Sequence, residues 1–488
     1  MTFDLRAILV LGLAALPYAA LLAARWRAWA LLAGSVLAIY WLQPPLPIRY
    51  ADFILPTATL LLTVASWWAT RKPGDARQAG TRREDLVTLI VVAALVAGLS
   101  LMRFVEAEYR ITVSRPPDPL GLVAGLAIAG AALGAILWLA QKRGPERGLA
   151  VVGLLVIALF VILKTEPLAA AVGAWWRSLT GQDISLASGA DLNWLGFSYV
   201  AFRLLHTLRD RQAGILPALS LREYVTYVVF FASYTAGPID RAERFAGDFR
   251  VLPIVKGPDA GRFLDGLTRI AIGLFKKFVI ADSLAQGLSL SVASAAQADS
   301  ALWLWVLLYG YAFRLYFDFG GYTDIAIGIG VLFGIRLPEN FDRPYLKTSI
   351  TAFWQSWHMT LSNWARFYVF TPLSRWMLTR SWKPSPALIV LAAQLATMIV
   401  IGLWHGITWS FFAWGAWHGV GLFVHKQWSD RTRRWTRGLS ARPGHKRAWT
   451  AISWFATLQF VVIGWVWFLM PDVQQAAQTM LRLFGLGW

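Results

Sequence analysis

There is no cysteine in the 488 residues, and only 15% of them are charged. The first absence removes a disulfide framework, a thiolate nucleophile and any Cys-ligated metal, so an acyl-cysteine route is closed. The second, with 57% of the chain hydrophobic, excludes an ordinary soluble globular protein. Acids are scarcer still: 27 Asp and Glu stand against 46 Lys and Arg, a formal net charge of +19. The sequence also lacks a P-loop, a G-x-S-x-G elbow and an H-E-x-x-H pair. Phosphate-driven transport, serine hydrolysis and zinc proteolysis therefore lose support, and Gly328-x-Gly330 follows no strand that would make it a nucleotide site. Neither a metal nor a bound cofactor is expected.

What the chain has instead is a succession of apolar runs long enough to cross a bilayer, so an all-α integral membrane protein is expected. Six runs come first, at 7–24, 28–43, 53–70, 87–104, 120–140 and 149–164. Many of the 27 Trp lie near run ends, where interfacial rings account for them. The basic residues sit in alternate short loops: Arg25 and Arg27, then Arg71 to Arg83, then Lys142, Arg143 and Arg147. That pattern favours orientation bias and membrane-lipid contact over nucleic acid as a partner. It puts the N-terminus outside and the basic loops in the cytoplasm. The first run reads as a retained helix. The expected organisation is a six-span region at 1–164, an external loop with short helices at 165–193, a core at 194–470 and an amphipathic tail at 471–488.

Within the core, runs are expected at 194–208, 221–231, 301–316, 386–403, 407–424 and 450–470. A Gly237-Pro238 break should be buried in protein or line a cavity. Residues 262–292 read as one long helix whose Lys276-Lys277 pair marks an interfacial or re-entrant segment. Lys426 to Arg447 is expected to be a mobile basic connection.

Polar residues concentrate between Phe317 and Gly419, and ionisable groups at membrane depth mark function by default. His405 ends an apolar run just before Gly406. Desolvation there disfavours its charged form, so a neutral ring able to accept a proton is expected, which suits a general base acting on a hydroxyl. A hydrogen-bonded structural histidine is the alternative. His358 lies beside an aromatic face formed at helical spacing by Phe353, Trp357, Leu361 and Trp364, where a helper role and a core role both remain open. Asp318 and Asp324 read as flanking a Gly-Gly-Tyr turn, with Arg314 and Arg336 as ion-pair partners. Glu339-Asn340 after Pro338 would brace a re-entrant turn. His418 and His425 carry weaker signals, and His206 reads as structural.

Four ordered motifs carry a family resemblance. They are Phe317-Asp318-Phe319-Gly320-Gly321-Tyr322, Leu337-Pro338-Glu339-Asn340-Phe341-Asp342-Arg343-Pro344-Tyr345, Phe353-Trp354 to Trp357-His358, and Leu403-Trp404-His405-Gly406 to His418-Gly419. Over 194–470 the chain resembles the membrane-bound O-acyltransferases (MBOAT), in particular the bacterial branch acting in alginate O-acetylation and teichoic-acid D-alanylation. The resemblance implies about eleven transmembrane helices, with re-entrant and interfacial ones, around a central tunnel. It implies His405 and His358 as catalytic residues. Asn363, Asp318, Tyr322, Trp404, Trp357 and Arg366 are implied as substrate-binding or tunnel residues, with His358 and Asn363 as candidate oxyanion donors. The implied donor is a cytoplasmic acyl thioester, acetyl-CoA or an acyl-carrier thioester, and the acceptor is a hydroxyl on an extracytoplasmic glycan. An extracytoplasmic acetyltransferase is an implied partner. Two departures leave the donor open: Gln355-Ser356 replaces an Arg before Trp357-His358, and Trp364-Ala365-Arg366-Phe367-Tyr368 replaces a Trp-x-Arg-Asp-Tyr pattern. The rivals are D-alanyl or longer-chain transfer and, from another class, a proton-coupled transporter or flippase.

Overall fold

The computed structural model describes residues 4–71, 82–254, 259–440 and 443–487. The expected basic loop at 72–81 and Arg442 lie outside them. The described residues form helices and no strand, because a chain in lipid must satisfy each backbone group within its own segment. Among the described residues, six helices are long and apolar enough to cross a membrane: Ala51–Thr70, Arg82–Phe104, Pro119–Lys142, Glu146–Lys164, Pro386–His405 and Pro443–Leu469. Others are shorter, like Leu5–Ala20, or carry many charges, like Trp409–Ser440, so length and composition alone do not reach eleven. Their starts follow local chemistry. Asp118 accepts from the Gly121 N–H at 2.9 Å ahead of Pro119, and Ser385 caps the Pro386 helix through the Leu388 N–H.

The chain divides into two compact units, 1–270 with 326–338, and 271–325 with 339–488. In the first, the loops expected on one side of the membrane meet one another. Gln182 donates to the Pro47 carbonyl at 3.0 Å and accepts from the Arg49 N–H at 2.8 Å, and Gln43 donates to the Asn193 carbonyl. The 165–193 segment folds as the helix Glu166–Leu179 and two short 3-10 turns. It is pinned by a bidentate pair, Arg177 Nε to Asp191 Oδ2 at 2.6 Å and Nη2 to Oδ1 at 2.9 Å. That guanidinium holds the Asp191 carboxyl below the usual carboxylate range. The opposite helix ends also meet: Arg222 pairs with Glu84 at 2.7 Å, and Leu221 N–H donates to Asp85. The Gly237-Pro238 break is a buried cis peptide, and the carbonyls freed around it are taken by Arg203. Its guanidinium donates to Val228 O at 2.8 Å and Ser233 O at 2.5 Å.

Three expectations for the second unit are corrected. Residues 262–292 are not one helix: an α-helix Ala260–Leu274 passes into a π-helical turn, Phe275–Ala281, and a separate helix starts at Val292. The Gly320-Gly321-Tyr322 turn does not exist, because a single 32-residue helix, Ala301–Leu332, runs through it. Glycine costs an isolated helix about 1 kcal/mol, but here it permits close approach: a Cβ on Gly321 would lie 2.8 Å from the Gly273 carbonyl oxygen. Finally, the basic stretch from Lys426 is helical, the C-terminal half of the helix Trp409–Ser440.

Candidate functional site

The Pro386–His405 helix packs directly on Trp409–Ser440, and glycines make this possible. A Cβ on Gly415 would sit 2.5 Å from Met398 O, and one on Gly419 would sit 3.0 Å from the Leu395 Cα. The short link between the helices leaves His405 at the last helical position, half-buried among aromatic rings. Its ring centroid lies 4.5 Å from that of Trp404, 4.7 Å from Phe468, 5.7 Å from Trp414 and 5.8 Å from Phe411.

His358 reaches the same aromatic cluster from another element. The expected continuous helix over Phe353 to Trp364 is broken: Ile350–Trp354 ends, and Met359–Ala365 starts anew. His358 between them has φ 42° and ψ 53°, a left-handed conformation that costs a side-chain-bearing residue of order 1–3 kcal/mol. The surroundings hold it there. Asn340 O accepts from the Met359 N–H at 2.9 Å, and Ser356 O accepts from the Asp342 N–H at 3.0 Å. The imidazole is 3% exposed, 4.7 Å from Phe319 and 6.0 Å from Trp404 between centroids. Trp404 is thus flanked by both histidines.

The other candidate residues divide into those brought here and those that are not. Trp357 is buried and stacks on Phe353 at 5.6 Å and 17°, with Phe341 and Trp465 at 5.1 Å, so it is a wall of the cluster. Tyr322 is buried on the Ala301–Leu332 helix. Asp318, half-buried, pairs with Lys277 at 2.6 Å, and Asp324 pairs with Lys276 at 2.6 Å. The partners are therefore the consecutive lysines of the π-helical turn, not Arg314 and Arg336. Arg314 instead donates to Ser289 Oγ at 3.4 Å, and the Arg336 N–H donates to Asp248. Sequence already carried the signal: two adjacent lysines in an apolar helix, and two acids six residues apart in another. Asn363 and Arg366 are exposed, and Arg366 lies over Phe367 at 5.9 Å.

His418, a weaker signal in the sequence, joins this cluster. It is fully buried, accepts from the Trp354 indole N–H at 3.3 Å, and its ring lies 4.9 Å from Trp414, which itself touches His405. Imidazole and indole rings therefore alternate in the order His358, Trp404, His405, Trp414, His418.

One histidine cluster in the first unit has metal-like spacing: His206, Asp210 and Glu243. Its chemistry is already satisfied. His206 Nε2 accepts from the Ala242 N–H at 3.1 Å, leaving Nδ1–H toward Asp210 at 3.2 Å, while Arg241 pairs with Asp210 at 3.0 Å and Glu243 at 2.5 Å. This is a fastening between helices, and an uncompensated site for a cation is not left over.

Fold and site together are those of a helical membrane protein that holds an aromatic cluster with several imidazoles. The chain belongs to the MBOAT, membrane-bound O-acyltransferase family, whose model matches residues 150–470. It is an acyltransferase by that membership. It is 32% identical over 287 residues to a teichoic acid D-alanyltransferase of Streptococcus thermophilus, covering 57% of this chain and 68% of that one. It is 33% identical over 294 residues to a probable alginate O-acetylase AlgI of Pseudomonas fluorescens, covering 60% and 54%. A peptidoglycan O-acetyltransferase of Helicobacter pylori is 33% identical over 270 residues, covering 54% and 47%. The matched part spans about half the length of the latter two.

Proposed function

We propose that the protein moves an acyl group, acetyl in the first instance, from a cytoplasmic thioester to a hydroxyl of an extracytoplasmic envelope polysaccharide. It does so as a multi-pass protein of the bacterial inner membrane with its N-terminus outside. The observation that carries this reading is the pair of imidazoles, His405 and His358, that both pack edge-on to Trp404. In the reaction, His405 takes the proton of the acceptor hydroxyl, and the oxygen attacks the thioester carbonyl carbon. The carbonyl re-forms as the C–S bond breaks, and the thiolate takes the proton back from His405. A dry aromatic surround strengthens each of these charge interactions. Asn363 and Arg366, being exposed, stand apart from this chemistry and are better suited to the donor's approach. An extracytoplasmic acetyltransferase remains the expected partner for passing the group on, and the donor is acetyl-CoA or an acyl-carrier thioester.

The similarity to a D-alanyltransferase over 68% of its length favours a second reading, D-alanyl transfer to a teichoic-type acceptor by the same groups. Purified protein incubated with labelled acetyl and D-alanyl thioesters and a panel of glycans separates the two. His405→Ala should lower transfer by 10²–10⁴-fold, the range of a lost general base, while the protein stays monodisperse. Full activity in that variant would refute the assignment of the base. Thioester left untouched by the wild type with every acceptor would refute the reading as a whole.

A further inference from the structure

We infer that Asn340 is a positioning residue that locks His358 as the Nδ1–H tautomer. Its buried Nε2 then presents a lone pair that receives a hydrogen bond from a second hydroxyl of the acyl acceptor, next to the one that His405 deprotonates. The inference rests on the acyl-transfer reading above and assigns to His358 a role opposite to oxyanion donation. The argument begins with the asparagine oxygen. Asn340 is fully buried, and its Oδ1 accepts from the Thr360 backbone N–H at 3.3 Å and from the Thr360 hydroxyl at 2.7 Å. A backbone N–H can only donate, so the atom facing it is the amide oxygen; turning the amide over would set its NH₂ against that N–H. His358 Nδ1 lies 3.1 Å from the same oxygen. Facing an atom that only accepts, Nδ1 must carry the hydrogen. The neutral ring then has its lone pair on Nε2.

That lone pair is not accounted for within the protein. His358 Nε2 is buried with no hydrogen-bond partner, a condition that native interiors avoid and that asks for an explanation. An acceptor atom fixed in orientation near Trp404, whose ring also packs against His405, fits a ligand that brings a donor hydrogen. A glycan acceptor, with a second hydroxyl beside the attacking one, is such a ligand. Neutral His358 cannot donate to an oxyanion from Nε2, so its contribution is to hold the acceptor in place through a neighbouring hydroxyl rather than to stabilise the tetrahedral oxygen. The left-handed backbone at His358 is the strain accepted for that aim. The bracket that keeps it there, Asn340 O to Met359 N–H and Ser356 O to Asp342 N–H, leaves the ring little freedom.

The test combines a spectroscopic reading, which needs no activity, with a kinetic one. Protein labelled with ¹⁵N-histidine in detergent, with His358→Gln used to assign the signal by difference, should show His358 protonated at Nδ1 and bare at Nε2. Protonation at Nε2 overturns the inference whatever the enzyme turns over. Asn340→Asp keeps the accepting oxygen and adds a negative charge, which favours the imidazolium. It should retain transfer while moving the acid limb of the kcat–pH profile up by about one unit. Asn340→Leu removes the oxygen and should cut kcat at least tenfold with KM for the thioester little changed. Should the leucine variant fail to fold, the spectrum of the wild type and the aspartate profile decide alone. An unmoved profile in Asn340→Asp also overturns the inference. A wild type with the expected tautomer but no acyl transfer with any thioester would instead count against the proposed function.

Discussion

The helix Pro119–Lys142 and the pair Pro386–His405 with Trp409–Ser440 are all apolar over much of their length and all carry glycine, yet their glycines do opposite things. Gly125, Gly130 and Gly134 have nothing within 4 Å of where a Cβ would stand. Gly402, Gly415 and Gly419 face the backbone of the neighbouring helix, and a Cβ on Gly402 would run into the Phe411 carbonyl. In the first helix the small residues soften a surface turned largely outward. In the second pair they set the distance between two helices, and that distance places His405, Trp414 and His418 ring against ring. Composition cannot separate the two uses; the identity of the facing atom does.

The comparison can be broken most severely at the imidazoles. The double variant His358→Ala/His405→Ala should lose 10²–10⁴-fold in transfer and fall no further than the worse single variant, since groups that act as a unit are not additive. Single-turnover rates of the four proteins check this. Next, Gly402→Ala should cost about 1–3 kcal/mol by overpacking and lower transfer at least tenfold, whereas Gly130→Ala should leave both unchanged. Thermal unfolding in detergent read beside activity tests the contrast. A smaller effect is expected at the π-helical turn. Lys277→Met should destabilise by leaving Asp318 unpaired in a poorly solvated place, and Lys277→Met/Asp318→Leu should recover much of that loss, as a double-mutant cycle would show.

The smallest effect lies in the first unit and depends on pH. Asp191 is held below the usual carboxylate range by Arg177. Its contribution to stability is therefore complete above the unfolded carboxylate value of about 4 and disappears as pH falls through the lower folded value. Proteolysis within 165–193 should accelerate below about pH 4, and Asp191→Asn should remove that dependence, raising cleavage at neutral pH instead. A pH-independent rate in the wild type would argue that the pair does not hold the segment.

Much of the first unit was legible because one physical variable, hydropathy over about twenty residues, fixes a span. The runs at 53–70 and 149–164 correspond to Ala51–Thr70 and Glu146–Lys164. The second unit was read less well wherever that variable was ambiguous. Gly320-Gly321 looks like a turn in any window, and only the facing Gly273 carbonyl makes it helix. His358 could not be seen to interrupt a helix, because Phe353, Trp357, Leu361 and Trp364 keep helical spacing across the break. His405 and His358 stand out as candidates in the sequence through their place in an apolar stretch and through motif resemblance. Asn340 was seen only as a brace, since the tautomer it dictates depends on where Thr360 returns in space. Lys276 and Lys277 were noted, but their partners are 48 and 41 residues away, beyond any local pattern.

The helix Trp409–Ser440 has 32 residues and so extends about 48 Å. Its apolar portion ends near Val424, and the remainder, about 24 Å, bears Lys426, Arg431, Arg433, Arg434 and Arg437. A headgroup layer is about 5–8 Å deep, and a charge is screened over about 8 Å at physiological salt. Were the helix to stand along the membrane normal, its tip would reach past the bilayer's own counter-charge, and its field would act on dissolved molecules. An acidic solute approaching that face would be drawn in before it touched the membrane, and added salt would shorten the distance at which that begins.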